Sequence, residues 1–392
     1  MIKIGIECES IEGKEPMWGV GRMIVKLLEE VARRPELEKS HRFVLYFKDH
    51  IPDLPFLDAP IFEKKKIPVP FFKNRLFPIY YFAILPMKLW FEGLDVMFWP
   101  NYMLPIIAFN RSVVMLAEDI YYEAHEGKLP FRYRLAYGLF GWWTAKFSTQ
   151  IMTISETSKK NIGRLYKIDP KRITVNHLGI DFSNGSPENT RHDKYILCVG
   201  QAFPRRHLRE TILAFEKLIK LILEHSDILK NVGMSELQLI AIGPDKYETP
   251  VVKKLVAQTN KNLGREAVIH KDYVKDSELV ELYAGASALV YVSDREAFGL
   301  PPMEALSFGV PPVIADNELG HELFEDYAFY ADRNDVDGIT EGMRKALTQT
   351  DKISKINNSG PEFARKYSWK NFTDKFLENV QNINPALENK GE

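Results

Sequence analysis

Short apolar, β-rich runs alternate along this chain with longer stretches of helical periodicity, and that alternation constrains the fold more than any other feature. The runs are IKIGIE (2–7), RFVLYF (42–47), DVMFW (95–99), SVVML (112–116), QIMTI (150–154) and RITVNHL (172–178). They resume as YILCVG (195–200), LQLIAIG (237–243), AVIHKDYV (267–274), ALVYVS (288–293), PPVIAD (311–316) and YAFYAD (327–332). Runs that are apolar on both faces and separated by helices belong to parallel sheets in α/β units. About six fall on each side of FSNGSPENTRHDK (182–194), a polar stretch with Gly, Pro and Asn and no periodicity. The expectation is an α/β protein of two doubly wound, Rossmann-like domains facing a central cleft, 1–182 and 195–367, joined by a linker over 183–194. SWKNFTDKFLENV (368–380) reads as an amphipathic helix, spanning about 368–385, that can pack back on the first domain.

Charge and cysteine usage exclude several classes. Fifty-two Lys and Arg against 53 Asp and Glu give a net charge of −1, so no nucleic-acid partner is expected. Residues 1–180 hold 26 basic against 20 acidic side chains, and residues 181–392 hold 26 against 33, so the two halves face different partners. Cys8 and Cys198 are too few for a disulfide framework or a metal cage, and both are read as buried thiols. The N-terminal MIKIGIECESIEG has no apolar segment of the secretory kind. The longest uncharged apolar stretch, Leu76 to Met87, has 12 residues and contains Pro78 and Pro86. A membrane-spanning helix needs about 20 apolar residues, so the expected location is cytoplasmic.

The segment richest in chemistry is ALVYVSDREAFGLPPMEALSFGVPPVIAD (288–316). A strand enters the loop Asp294–Leu300, and a helix starts at Pro301-Pro302, where the missing proline N–H costs nothing. Glu296 lies in the loop and Glu304 is expected in the first turn of the helix. Between them, the amides of Phe298, Gly299 and Leu300 approach a helix N-terminus, a favourable place for an anion. One carboxylate on each side of such a turn suits a sugar, a diphosphate and a ribose in a row, because a carboxylate accepts two hydrogen bonds from a vicinal diol. The plainer alternative is a helix-start acid and a solvated loop acid. A second candidate is YILCVGQAFPRRHLRETILAF (195–215), which sets Arg205 and Arg206 just after a strand, where two guanidiniums can neutralise a diphosphate; a solvated basic turn is the alternative.

These two segments resemble the "VG…PRKN…LI.AF" and "S..EGFGLPPLEA…G.PVV" stretches of the family-4 (group 1) retaining glycosyltransferases of GT-B fold. KDYVKDSELVELYAGASALVYVS (271–293), TISETSKKNI (153–162) and ITVNHLGID (173–181) extend the likeness over about 150–316. The resemblance implies a transferase, of hexosyltransferase type, that moves a sugar from a UDP- or GDP-linked donor to an acceptor hydroxyl with retention and without a metal or other cofactor. It implies that Arg205 and Arg206 hold the donor diphosphate, that Glu296 binds donor-sugar hydroxyls, that the Phe298–Leu300 amides contact phosphate and sugar, and that Glu304 holds the ribose. Tyr273 and Val274 stand where that family flanks the base. A saccharide or lipid-linked acceptor, and a place in cell-surface polysaccharide, lipopolysaccharide or glycolipid biosynthesis, go with it. Three positions depart from the pattern: Arg206 replaces a usual Lys, Gln201 replaces a frequent Arg, and Ala117-Glu118-Asp119 stands where many members have a His-Asp pair.

The first half is less specific. Gly19 and Gly21 are read between the first strand and the helix of GKEPMWGVGRMIVKLLEEV (13–31), where glycines let backbone approach phosphate; an ordinary strand–helix turn explains them equally. KKKIPVPFFKNRLFPIYYFAILPMKLW (64–90) mixes Lys64, Lys65, Lys66, Lys73, Arg75 and Lys88 with aromatics. It is read either as a peripheral contact with the inner membrane leaflet or as a domain helix with core aromatics. FRYRLAYGLFGWWTAKF (131–147) repeats that composition. Two other functions suit the same fold: a nucleotide-sugar epimerase or hydrolase, and a catalytically silent sugar-nucleotide-binding subunit.

Overall fold

A computed structural model of the chain describes residues 1–13, 19–67, 84–107, 111–126, 130–181, 194–224 and 236–383. The chain divides into two compact units, Met1–Gly179 with Trp369–Glu392, and Ile180–Ser368. The expected linker, 183–194, lies outside the described residues except for Lys194.

The first unit is built on seven parallel strands: β1 (Ile2–Glu7), β2 (His41–Phe47), β3 (Phe62–Lys66), β4 (Val96–Trp99), β5 (Arg111–Met115), β6 (Gln150–Thr153) and β7 (Ile173–Val175). Their order is β3-β2-β1-β4-β5-β6-β7. Its helices are α1 (Val20–Ala32), α2 (Leu85–Trp90), α3 (Asp119–His125), α4 (Phe131–Phe147) and α5 (Glu156–Tyr166). The second unit has six parallel strands, β8 (Tyr195–Val199), β9 (Gln238–Ile242), β10 (Val268–Lys271), β11 (Ala288–Tyr291), β12 (Pro312–Ala315) and β13 (Phe329–Ala331), in the order β10-β9-β8-β11-β12-β13. Around them run α6 (Leu208–Glu224), α7 (Val252–Leu263), α8 (Asp276–Gly285), α9 (Leu300–Ser307), α10 (Glu318–Phe324), α11 (Val336–Thr348) and α12 (Thr350–Ala364). The last helix, α13 (Trp369–Asn382), belongs to the first unit.

Both sheets are doubly wound. In each, the chain builds outward on one side of its first strand and then returns to build on the other, so strand order reverses between β1 and β4 and between β8 and β11. Ligands of such sheets sit at the carboxyl ends of the strands flanking that reversal. The central strands are buried on both faces: Ile4 and Ile6 of β1, Phe43, Val44 and Leu45 of β2, and Leu289 of β11 have no exposed surface. In α1 the buried apolar side chains are Met23, Ile24, Leu27, Leu28 and Val31, the three-and-four spacing that turns one face inward. In α13, Phe372 and Phe376 are fully buried, and Phe376 packs edge-on against Phe98 of β4 with ring centroids 4.9 Å apart.

One strand escapes the apolar pattern. The residues read as the start of a membrane-facing segment, Lys64 to Lys66, belong to β3, the outer strand of the first sheet. Lys64 pairs with Asp58 at 2.7 Å, and Lys65 pairs with Glu63 and Glu92. Charged side chains on an edge strand keep its open hydrogen-bonding rim from recruiting another chain, which accounts for their presence without a membrane. Lys73 and Arg75 lie outside the described residues. Cys8 and Cys198 are free and buried.

Candidate active site

The second sheet brings two loops together where its order reverses. After β8 the chain passes Gly200 at φ 130°, and after β9 it passes Gly243 at φ 131°. A Cβ on Gly243 would lie 2.1 Å from the Gly200 carbonyl oxygen, so the strand ends meet only because Gly243 is glycine. The loop then forms a short turn, Pro204–Arg206, with the Arg206 amide donating to the Phe203 carbonyl at 2.9 Å. This turn presents Arg205 and Arg206 toward the loop that follows β11.

There they meet Glu296. Arg206 donates from Nε to Glu296 Oε1 at 2.7 Å and from its second terminal nitrogen to Oε2 at 3.3 Å, a two-pronged match of guanidinium to carboxylate. Arg205 reaches the same Oε1 at 3.4 Å, and the Ser293 hydroxyl donates to it at 3.2 Å. The Arg206 guanidinium also lies over the rings of Phe203 and Tyr291, at 5.8 and 5.3 Å. Burial, with the Glu296 charge beside it, pushes the Tyr291 phenol far above its ordinary range. The three residues read as diphosphate and sugar ligands are therefore one ion cluster. Its aromatic floor, Phe203 and Tyr291, and its extra donor, Ser293, carry no signature that sequence reading could find, since they matter only through the packing of two loops.

Beyond Glu296, Gly299 takes a left-handed conformation (φ 88°, ψ 59°) and caps α9. With prolines at 301 and 302, Leu300 is the one residue among the first three of the helix that carries an N–H. Glu304 is the fifth residue of α9, so it belongs to the second turn and not the first, because the helix already starts at Leu300. It is 8% exposed and accepts a hydrogen bond from the Tyr283 hydroxyl at 2.8 Å. The Phe298 side chain is buried against the edge of the Tyr367 ring, leaving its main chain for any ligand contact. A cavity borders this turn, lined by Tyr291, Ser293, Glu296, Gly299 and Pro302 among others.

The remaining predicted positions stand apart from this cluster. Tyr273 is exposed after the edge strand β10, whereas the Val274 side chain packs into the core with Leu197, Ile242 and Tyr283, which leaves it a backbone role only. In the first unit Gly19 caps α1 at φ 56°, but Gly21 is already inside the helix and buried, so only Gly19 belongs to the turn. Residues 14–18 lie outside the described residues.

A further group at the first sheet's reversal was not singled out by sequence. Glu7 ends β1 and is 3% exposed. It accepts from the Glu9 amide at 2.7 Å and from Asn101, just past β4, at 3.4 Å. Burial pushes its carboxyl up to about 7.

Two parallel, doubly wound sheets, one in each unit, are the architecture of the GT-B fold. Residues 181–363 match the family model of glycosyl transferases group 1. The chain is 31% identical over 236 residues to the O-antigen chain mannosyltransferase B of Escherichia coli, an alignment covering 57% of this chain and 58% of that relative's length. Its fold matches WaaG, a glycosyltransferase involved in lipopolysaccharide biosynthesis, with a TM-score of 0.66 over 98% of this chain and 100% of the other, at 21% identity. It likewise matches Anabaena HepE in complex with UDP and glucose, with a TM-score of 0.67 over 97% and 100% of the chains, at 13% identity.

Proposed function

We propose that this protein transfers a sugar from a UDP- or GDP-linked donor to an acceptor hydroxyl, with retention of configuration, in the assembly of a cell-surface polysaccharide or lipopolysaccharide. The observation that carries the reading is the Arg205–Arg206–Glu296 cluster at the carboxyl ends of β8 and β11. In the free protein Glu296 occupies the guanidiniums. A donor diphosphate entering the turn takes over the arginines, and the released carboxylate is then available to the hydroxyls of the donor sugar.

Transfer breaks the bond between the anomeric carbon and the diphosphate and forms one to the acceptor oxygen; the acceptor proton goes to the departing phosphate oxygen. Arg205 and Arg206 stabilise the negative charge that builds on the leaving group, and the Phe298, Gly299 and Leu300 amides add to it. Two fixed cations at that point supply the charge neutralisation the leaving group needs, which supports a reaction without a metal. Glu304, deep in α9, is read as the ribose acceptor.

The acceptor is read as a saccharide or lipid-linked saccharide, with the enzyme docked peripherally on the cytoplasmic face of a membrane. The described residues support this through α4 more than through the segment 64–90. Phe131, Leu135, Leu139 and Trp142 follow one another at helical spacing along α4, and all four are exposed. Lys146 and Lys167 line a groove together with these four side chains. An exposed apolar stripe bordered by cations is complementary to an anionic leaflet.

Turnover of labelled UDP- and GDP-sugars with a mixed saccharide and lipid-linked acceptor pool tests the reaction. Arg206→Glu should abolish transfer while the protein stays folded, because the leaving diphosphate would meet a like charge. Arg206→Lys should retain substantial activity, since the positive charge remains and only the two-pronged geometry is lost. Near-normal transfer by Arg206→Glu would place the diphosphate elsewhere.

A further inference from the structure

The turn that carries Arg205 and Arg206 ends on His207, which adopts a left-handed conformation at φ 49°. Few residues other than glycine tolerate that region; Asn, Asp and His are the enriched ones. The resembling family stretch has Asn here, which also fits the backbone but cannot carry charge.

The His207 side chain reaches two acids on two different elements. Its Nε2 lies 2.7 Å from Asp294 Oδ1, in the loop after β11, and its Nδ1 lies 3.6 Å from Glu210 Oε2, in the first turn of α6. A neutral imidazole has no charge and one N–H; only the imidazolium both donates to Asp294 and forms an ion pair with Glu210. Asp294 is itself tied to the arginine turn, because its amide donates to the Arg205 carbonyl at 2.9 Å. Asn334, after β13, donates to Asp294 Oδ1 at 2.9 Å. Asp294 stands two residues before Glu296. The other charged groups nearby are Arg209 on α6, Arg205 in the turn and Arg295 next to Asp294, and the Tyr247 hydroxyl accepts from the Arg209 amide.

We propose that His207 is a positioning residue: as the imidazolium it clasps the Arg205–Arg206 turn to the loop carrying Glu296 and fixes the spacing into which the donor diphosphate enters. This rests on the donor reading given above. The Glu210 carboxylate foremost, with Asp294, outweighs burial and holds the His207 pKa above its ordinary 6.5. The clasp is therefore complete below about 6.5 and loosens as pH rises through the raised value.

The test is the dissociation constant of UDP or GDP, whichever binds, measured by calorimetry from about pH 6 to pH 9. It is paired with a histidine NMR titration of the same samples, His207 being assigned from the spectrum of His207→Asn. The wild type should lose affinity several-fold on the alkaline side. His207→Asn, which keeps the left-handed turn, should lose that pH dependence. Asp294→Asn should move both the affinity loss and the His207 titration to lower pH. An alkaline loss that persists unchanged in His207→Asn overturns the proposal and leaves the donor assignment standing. A raised His207 titration with pH-independent nucleotide affinity in the wild type also overturns it. If Arg206→Glu then binds the nucleotide normally, the donor assignment falls as well.

Discussion

Glu304 and Glu7 are both buried carboxylates, and they have different partners. Glu304 is held by the Tyr283 hydroxyl and is expected to accept from a ribose, so Glu304→Ala should weaken nucleotide binding by about 1–3 kcal/mol. Tyr283→Phe removes that one hydrogen bond and keeps the carboxylate, and should leave that affinity within about threefold of the wild type. Calorimetric titration of both variants separates a ligand from a merely structural acid; unchanged affinity in Glu304→Ala removes the ribose role. Glu7 has a folded-state pKa of about 7 against an ordinary 4.5, with Glu9 and Glu12 adding to the burial effect. A raised acid favours the folded state while protonated, so its contribution is intact below 4.5 and is lost as pH climbs through about 7. Melting curves should accordingly show Glu7→Gln gaining on the wild type as pH rises from about 5 to 8. A difference that stays constant with pH would show that Glu7 is not the buried acid described here.

At the scale of elements, the parallel strands were legible because most are apolar on both faces, and the positions of all twelve runs correspond to β1, β2 and β4–β13. The strand β3 was not, because FEKKK is an edge strand whose charges hide it, and the same lysines suggested a membrane segment instead. Glu296, Glu304 and the arginines stood out as candidates from their places beside Gly299 and Pro204. The pairing of Glu296 with the arginines did not, since it depends on how two loops 90 residues apart are brought together by adjacent strands. The exposed face of α4 was also only half legible: FRYRLAYGLFGWWTAKF is apolar nearly all round, so periodicity does not say which residues face out. The structure shows Leu135 and Leu139 outward, and this makes the membrane reading testable. Leu135→Glu with Leu139→Glu should abolish flotation with anionic liposomes at low salt while changing stability by no more than about 0.5 kcal/mol per site. Lys64→Glu should leave flotation unchanged, since Lys64 already pairs with Asp58. Flotation that survives the leucine changes would leave α4 without a membrane role.

At the scale of the whole molecule, the chain passes from the first unit to the second near residue 179 and comes back near residue 368. The returning piece, α13, is no loose tail. Phe372 and Phe376 lie in the first unit's interior, Asn176 donates to the Phe372 carbonyl at 3.0 Å, and Arg34 pairs with Asp374. Truncating one such aromatic, as in Phe376→Ala, should cost about 3–5 kcal/mol in denaturant unfolding, a large part of a typical domain's stability. A shift under about 1 kcal/mol would mean that α13 contributes little to that core. The two crossings also bear on how the polypeptide responds to cutting. A specific protease site engineered between 182 and 193 would sever the backbone into two fragments, yet the larger one would still carry the helix that completes the smaller one's core. The fragments should co-elute on a sizing column until denaturant is added, and separately expressed halves divided there should reassemble, which makes this protein a natural substrate for fragment complementation.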